Sequence, residues 1–423
     1  MTRGAEERAG TVHVIGAGLA GLAAALSLSR TARPVVVHEA APHAGGRCRS
    51  FHDTVLDHRI DNGNHLLLAA NHAALDYLAE VGAAGSLDEG DGPIPFLDLA
   101  TAQTWTIRLD ARGLLRRLMA PIRQVPGARL TDILGLLRLG VAGSNTTVMQ
   151  ALGPGALMER FWRPLTVAVL NTEPEEAAAG LLRSMLRTAM AEGERGFTPL
   201  IVRDGLSETF IDPALAVLAE RGVTIGFGRR LRAIDRTAER VTALHFPGET
   251  IELAPGDTVV LAVPHMAARD LLPEIRTPAA ASAIVNAHYR LDAPARLPGN
   301  APLIGLTGGT AHWVFVRGPI ASVTVSAADS LVDQPAGELL TSLWRDTATA
   351  LGLPAEPQPP GRIVKERRAT FRQTPATLRD RPPARTVRRN LVLAGDWTDT
   401  GQPATIEGAI RSGRTAAGLL GDP

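Results

Sequence analysis

Two periods organise the apolar positions of this chain. Short β-branched runs read as strands: VHVI at 12–15, VVV at 35–37, and the alternating stretches GVTIGFGRRLRAID, RVTALHF and DTVVLAVP between residues 222 and 264. Helical spacing marks residues 22–30, the segment through Ile211, Leu215 and Leu218, and a stretch that begins near Thr405. Residues 265–361 return to strands in SAIVNAHYRLD, HWVFVRG and IASVTVSAA, with one helix around 339–347. Stretches rich in Gly and Pro at 297–309 and 353–361 are loops. Strand and helix alternating from the first residues onward predict an α/β protein. The chain shows no internal repeat and no low-complexity tail.

Composition narrows the classes. With 423 residues the chain has length for two or three domains. Hydrophobic residues make up 45%, charged residues 21%, and the formal net charge is +1, which argues against a disordered chain and against a nucleic-acid binder. Cys48 is the sole cysteine, so no internal disulfide or Cys-based metal site forms, no metal is expected, and a reducing cytoplasm suits it. Lys365 is the sole lysine, which removes a Schiff base from other positions. No uncharged apolar run reaches the ~18 residues of a membrane span. The N-terminal charges followed by an apolar run resemble a secretory signal, but two early glutamates and glycines at fixed offsets argue against one.

Those glycines carry chemistry. Gly16, Gly18 and Gly21 form a GxGxxG turn between the strand at 12–15 and the helix at 22–30, and the second strand ends in Glu39. In such a unit the first glycine allows the tight turn, the second admits a pyrophosphate, and the third lets helix and strand pack closely. The acid accepts hydrogen bonds from ribose hydroxyls. A turn that binds nothing is the competing reading. Next come Gly45, Gly46 and Arg47; a guanidinium forks onto phosphate, with Arg49 a weaker ligand, and this favours FAD over NAD.

Glu39, the GGR segment and the distant LAGDWTDTGQPATIEGAIRSG at 393–413 resemble the FAD-dependent amine oxidase and phytoene desaturase superfamily. The resemblance implies a Rossmann-like FAD domain of the GR2 type assembled from residues 11–71, 206–264 and 362–423. Residues 72–205 would form a helical substrate or membrane-facing region, and 265–361 the sheet of a mixed substrate domain. It also implies that the backbone at Leu231 contacts adenine and that Gly395 and Asp396 bind the ribityl and phosphate region. Thr405, Ile406 and Glu407 would set a helix N-terminus beside the pyrimidine end of the flavin.

Amine oxidation is disfavoured, because the tyrosine of the amine cage is missing: Tyr77 and Tyr289 are the only tyrosines, and Trp397 alone would remain. The segments DNGNHLLLAAN (61–71), FWRPLTVAVLNTEPEEAA (161–178), FIDPALAVLAERG (210–222), IVNAHYRLD (284–292), KERRATF (365–371) and AGDWTDTGQPATIEGAIRSG (394–413) are similar to the hydroxysqualene dehydroxylases of bacterial hopanoid pathways. Asn64 departs from that family's pattern, where a glutamine is expected. The implied reaction replaces the hydroxyl of an isoprenoid by hydride from reduced FAD, after an acid protonates the leaving oxygen. His65 is the candidate acid, oriented by Asp61. Glu407, Glu366 and His288 are reserve donors, and Asn171 and Arg163 line the cavity or pack an ordinary helix. A histidine that only shapes its loop is the competing reading.

Residues 112–142 cluster leucines with arginines, as an interfacial helix pair on anionic lipid does; a solvated hairpin over the core predicts the same pattern. Together these expectations describe a cytoplasmic enzyme, peripheral on the inner face of the membrane. What reduces the flavin is not written in the sequence. A carotenoid-type desaturase and a catalytically idle FAD-bound lipid carrier are the alternatives.

Overall fold

The computed structural model of the protein describes residues 10–90, 94–108, 119, 121–193 and 195–421. Numbered along the chain, β1 (Val12–Ile15), β2 (Val35–His38), β10 (Thr224–Gly226), β14 (Thr258–Leu261) and β20 (Leu391–Leu393) form one sheet in the order β10-β2-β1-β14-β20. All four pairings are parallel. Parallel strands are covered on both faces, which is why VHVI and TVVL are apolar without strict alternation.

Helix α1 (Leu19–Leu28) follows β1, and all of it except Ser27 is buried. It begins three residues earlier than its hydrophobic period predicts, on the glycine turn itself. The C-terminal helix Ile406–Gly421 crosses it at close range. A Cβ on Gly413 would lie 2.1 Å from the carbonyl oxygen of Ala20, so the crossing exists only with glycine there.

A second sheet has the order β19-β15-β18-β17-β16-β7-β8, from β7 (Ile94–Asp98), β8 (Gln103–Ile107), β15 (Ala281–Arg290), β16 (Leu303–Thr307), β17 (Trp313–Arg317), β18 (Ile320–Val325) and β19 (Gly361–Phe371). Its two faces differ in chemistry. Val285, Ala287, Tyr289, Val323 and Val325 join an apolar cluster with the helix Ala336–Leu351. Asn286, His288, Ser322 and Thr324 alternate with them, face the other way, and are buried too. They stand in opposed pairs, Asn286 against Thr324 and His288 against Ser322.

Smaller sheets complete the molecule. The hairpin β3 (Ser50–Asp53) and β4 (His58–Asp61) leads into the loop that ends at β5 (Leu66–Leu68), which pairs with β9 (Pro199–Val202) beside β6 (Leu87–Glu89). Strands β11 (Ala233–Arg236), β12 (Val241–Phe246) and β13 (Glu249–Glu252) form a meander. Helices Ile133–Gly140, Val148–Leu152, Arg163–Leu170 and Ala179–Ala191 pack around Phe161, Trp162 and Leu182, against Phe96 and Trp105 of the large sheet.

Gly413→Ala tests the helix crossing. The added methyl must push the two helices apart, and overpacking of this kind costs about 1–3 kcal/mol. The denaturation midpoint of the variant is expected to fall accordingly; an unchanged midpoint would show that the crossing has slack.

Candidate cofactor and substrate site

The three glycines of the first turn do different things. Gly16 has φ +107°, and a Cβ there would lie 2.6 Å from the Ala262 carbonyl oxygen; a Cβ on Gly21 would lie 1.9 Å from that of Gly16. Both are required by the fold. Around Gly18 a Cβ would meet nothing within 4 Å, so open space rather than packing lies beside it. Gly18 is also the N-cap of α1 and offers no side chain to cap it, which leaves first-turn amides for an anion. Gly45 donates its N–H to the Ala17 carbonyl at 2.8 Å, and this brings Gly46 against Gly18.

Glu39 closes the unit. Its carboxylate accepts from the amides of Ala17 at 2.7 Å and Ala41 at 2.8 Å. Its own amide bonds Gly226, and Arg229 bonds back to its carbonyl, both at 2.8 Å, so the 226–231 turn is held beside the acid. The side chain of Leu231 is buried in an apolar cluster, so this position has only its backbone to offer an adenine.

The end of the chain supplies the opposite wall. Gly395 has φ +144°, and a Cβ on it would lie 2.4 Å from the Trp397 ring nitrogen. Asp396 is buried, and its Oδ1 accepts from Arg47 Nη2 at 2.7 Å while Arg47 Nη1 donates to the Ala369 carbonyl at 2.6 Å. The Arg47 side chain remains 40% exposed, although both terminal nitrogens are bonded within the protein. Thr405 accepts from the Gly408 amide at 3.2 Å and caps the last helix, on which Ile406 is buried. Open space at Gly18, an uncapped helix start and a nearby, partly exposed arginine fit a dinucleotide phosphate.

The loop 61–65 is clamped to the polar face of the large sheet. Asn64 Nδ2 donates to Thr324 Oγ1 at 2.9 Å, Thr324 donates to Asn286 Oδ1 at 2.8 Å, and Asn286 Nδ2 returns to the Asn62 carbonyl at 3.2 Å. The shorter amide at Asn64 therefore has a partner within reach. His65 is half-buried and makes no hydrogen bond among the described residues. Burial lowers its pKa below 6.5; Asp61 opposes that shift and Arg47 adds to it.

Several expected roles change. Asp61 does not orient His65 by a hydrogen bond: Oδ1 accepts from Ser50 at 2.5 Å and from the Leu206 amide at 3.0 Å, and Oδ2 pairs with Arg317 at 3.0 Å. Glu407 faces away from the cofactor wall. It caps helix α2 (His72–Glu80) through the amides of Ala74 at 2.9 Å and Ala73 at 3.3 Å and pairs with Arg411 at 2.9 Å, which removes it as a proton donor. His288 is bonded to Ser322 at 2.8 Å, and burial pushes its pKa down to about 4, so it is neutral near neutral pH. Trp397 is a core residue whose ring nitrogen donates to Val263 at 2.9 Å, not one side of an amine cage. Arg163 sits among Glu159, Glu173 and Glu175 at the surface. Asn171 bonds Ser282, Thr370 and the Ala327 amide and joins its helix to the sheet. Cys48 is buried in the core, with its thiol pushed up by burial. Glu366, on β19, is half-buried, makes no hydrogen bond among the described residues and acts on Arg47 through space.

Residues that sequence reasoning passed over hold the corner from behind. Gln373 is fully buried; Oε1 accepts from the Ala404 amide at 2.9 Å and Nε2 donates to the Leu170 carbonyl at 2.8 Å. Its backbone also bonds Thr172 and Ala178. Ser412 accepts from the Gly395 amide at 2.8 Å, and Arg381 is turned inward beneath the 396–402 turn. Asn286 and Thr324 had a signal, polar residues at every second position of apolar strands. Gln373 and Arg381 had none.

Comparison with known proteins agrees with this geometry. The family model described as flavin containing amine oxidoreductase matches residues 19–420. Among solved structures, a putrescine oxidase bound to putrescine superimposes with a TM-score of 0.71 over 98% of this chain and 99% of its own, at 15% identity. The chain belongs to the flavin-containing amine oxidoreductases and is an FAD-dependent oxidoreductase. Hydroxysqualene dehydroxylase from Rhodopseudomonas palustris is 45% identical over 97% of this chain and 98% of its own, and that from Sinorhizobium fredii is 42% identical over 96% and 97%. Within the larger family, the chain falls in the hydroxysqualene dehydroxylase family.

Gly18→Val separates fold from ligand. The added Cβ meets no protein atom within 4 Å, so the apoprotein is expected to keep its thermal midpoint while purified protein loses its flavin. Gly21→Val, by contrast, destabilises the apoprotein itself. Full flavin occupancy in Gly18→Val would refute the placement of the pyrophosphate.

Proposed function

We propose that the protein converts hydroxysqualene to squalene. The carrying observation is likeness along nearly the whole chain to proteins named for that activity. The substrate takes up one proton and one hydride and releases water. Bound reduced FAD supplies the hydride. The chain's own task is to hold the hydrocarbon, exclude water and deliver the proton, because hydroxide leaves poorly unless protonated.

His65 suits that delivery. Its loop is fixed by the Asn64–Thr324–Asn286 clamp while its ring is left without a hydrogen bond, so a proton on it is available to a substrate oxygen. Glu366 is the second candidate. Asp61 positions the loop through Ser50, Leu206 and Arg317.

We also place the protein at a lipid surface. No helix among the described residues is long and apolar enough to cross a membrane. Leu130, Leu134, Leu137 and Val141 are 69%, 51%, 61% and 84% exposed, spaced as one stripe of the helix Ile133–Gly140 and its ends. Arg123 and Arg129, of the same segment, are exposed, which suits anionic headgroups. Arg116 and Arg117 of the same expected segment lie outside the described residues.

His65→Ala is expected to retain FAD and fold yet lose about a hundred- to ten-thousand-fold in turnover by reduced enzyme, read as squalene formed. A substrate with a better leaving group at the same carbon should recover much of the rate; equal loss on both would give His65 a shaping role and leave Glu366 as the donor. Because the acid must be protonated and burial lowers its pKa, kcat/KM of the wild type should rise as pH falls through and below 6.5. His65→Gln should flatten that limb. Oxidised protein that instead adds double bonds to phytoene would make the chain a desaturase.

For the surface, Leu134→Asp with Leu137→Asp is expected to weaken binding to anionic vesicles at least about tenfold with flavin content unchanged. Undiminished vesicle binding would leave the helix as a solvated cover.

A further inference from the structure

Arg381 is 7% exposed and donates only to neutral oxygens. Nε reaches the Thr398 carbonyl at 3.0 Å, Nη1 that of Gln402 at 2.9 Å, and Nη2 those of Asp396 at 3.2 Å and Thr398 at 2.5 Å, with the Thr400 hydroxyl at 3.2 Å. The face of Phe371 lies over the guanidinium at 5.4 Å from ring centre. A cation this far from water ordinarily meets a carboxylate. Neither nearby acid is bonded to it: the Asp396 carboxylate is engaged by Arg47, Asp399 is exposed, and both act on Arg381 through space alone. The three carbonyls belong to the turn that follows Gly395, the wall of the cofactor site.

We propose that Arg381 is a positioning residue that moulds the 396–402 turn for the flavin, and that its charge is balanced by the bound cofactor, above all in the reduced, more anionic form. This rests on FAD occupying the Gly395–Thr405 corner. The fork is needed for the first part: five bonds gathered from three carbonyls and a hydroxyl are beyond the single ammonium of a lysine. The charge is needed for the second, since a cation near the flavin favours whichever redox state carries more negative charge.

Two variants separate the parts. FAD dissociation is measured by reconstitution of the apoprotein, and the flavin midpoint potential by equilibration with redox dyes. Arg381→Gln is expected to bind oxidised FAD at least tenfold more weakly and to shift the midpoint to more negative potential. Arg381→Lys should lose affinity similarly while keeping a midpoint close to wild type. Should Arg381→Gln not fold, Arg381→Met takes its place in the potential measurement, and Arg381→Lys decides the moulding role, which FAD affinity within twofold of wild type in that variant overturns. Midpoints unchanged in both variants, with thermal midpoints of apo and holo forms lowered equally, overturn the charge role and make Arg381 a structural tie. A wild-type protein that binds no FAD overturns the cofactor reading itself, a result separate from either.

Discussion

One ion pair, Arg47 with Asp396, ties the GGR turn near one end of the chain to the Gly395 turn near the other. Asp396 is buried while the arginine keeps one side open, so the pair is anchored from the acid's side and the cation is presented outward. A buried carboxylate without such a partner would be strongly disfavoured. The pair holds only if β1, β14 and β20 lie side by side, since the GGR turn is hung from the β1 turn and Asp396 follows β20. Helix crossing at Gly413, the turn at Gly395 and the clamp from Gln373 all serve that adjacency.

The large sheet answers a different demand. A sheet that seals a core on one side and anchors a loop on the other must be dry, yet it must hold polar groups at fixed points. Strands β15 and β18 meet both requirements with period two: one face is apolar and seals against the helix Ala336–Leu351, and the other carries amides and hydroxyls that satisfy one another. Satisfied pairs avoid the cost of about 1–3 kcal/mol that each orphaned buried group carries. The loop bearing His65 thus borrows rigidity from a sheet far away in sequence.

Much of the cofactor half was legible because its determinants are local. A glycine turn between strand and helix, an acid at the next strand end and a GGR run are read within forty or so residues. The structure refined that reading where distance along the chain hides partners. Glu407 lies on the expected helix, but α2 turns its carboxylate into a cap, which depends on the docking of residues 72–80. Asp61 is drawn off by Ser50, Leu206 and Arg317, from three different elements. Trp397 follows the binding motif and yet fills the core, because Gly395 leaves a hollow that its ring occupies. Gln373 and Arg381 stand in an undistinguished polar stretch, and their importance is created entirely by what folds over them.

Gln373 has one more consequence. Its side chain bonds the end of the helix Arg163–Leu170 on one side and the cofactor corner on the other, and Asn171 ties the same helix to the large sheet. Swinging that helix open would break several buried hydrogen bonds at once. The helical cover is therefore bolted to the cofactor half rather than hinged on it.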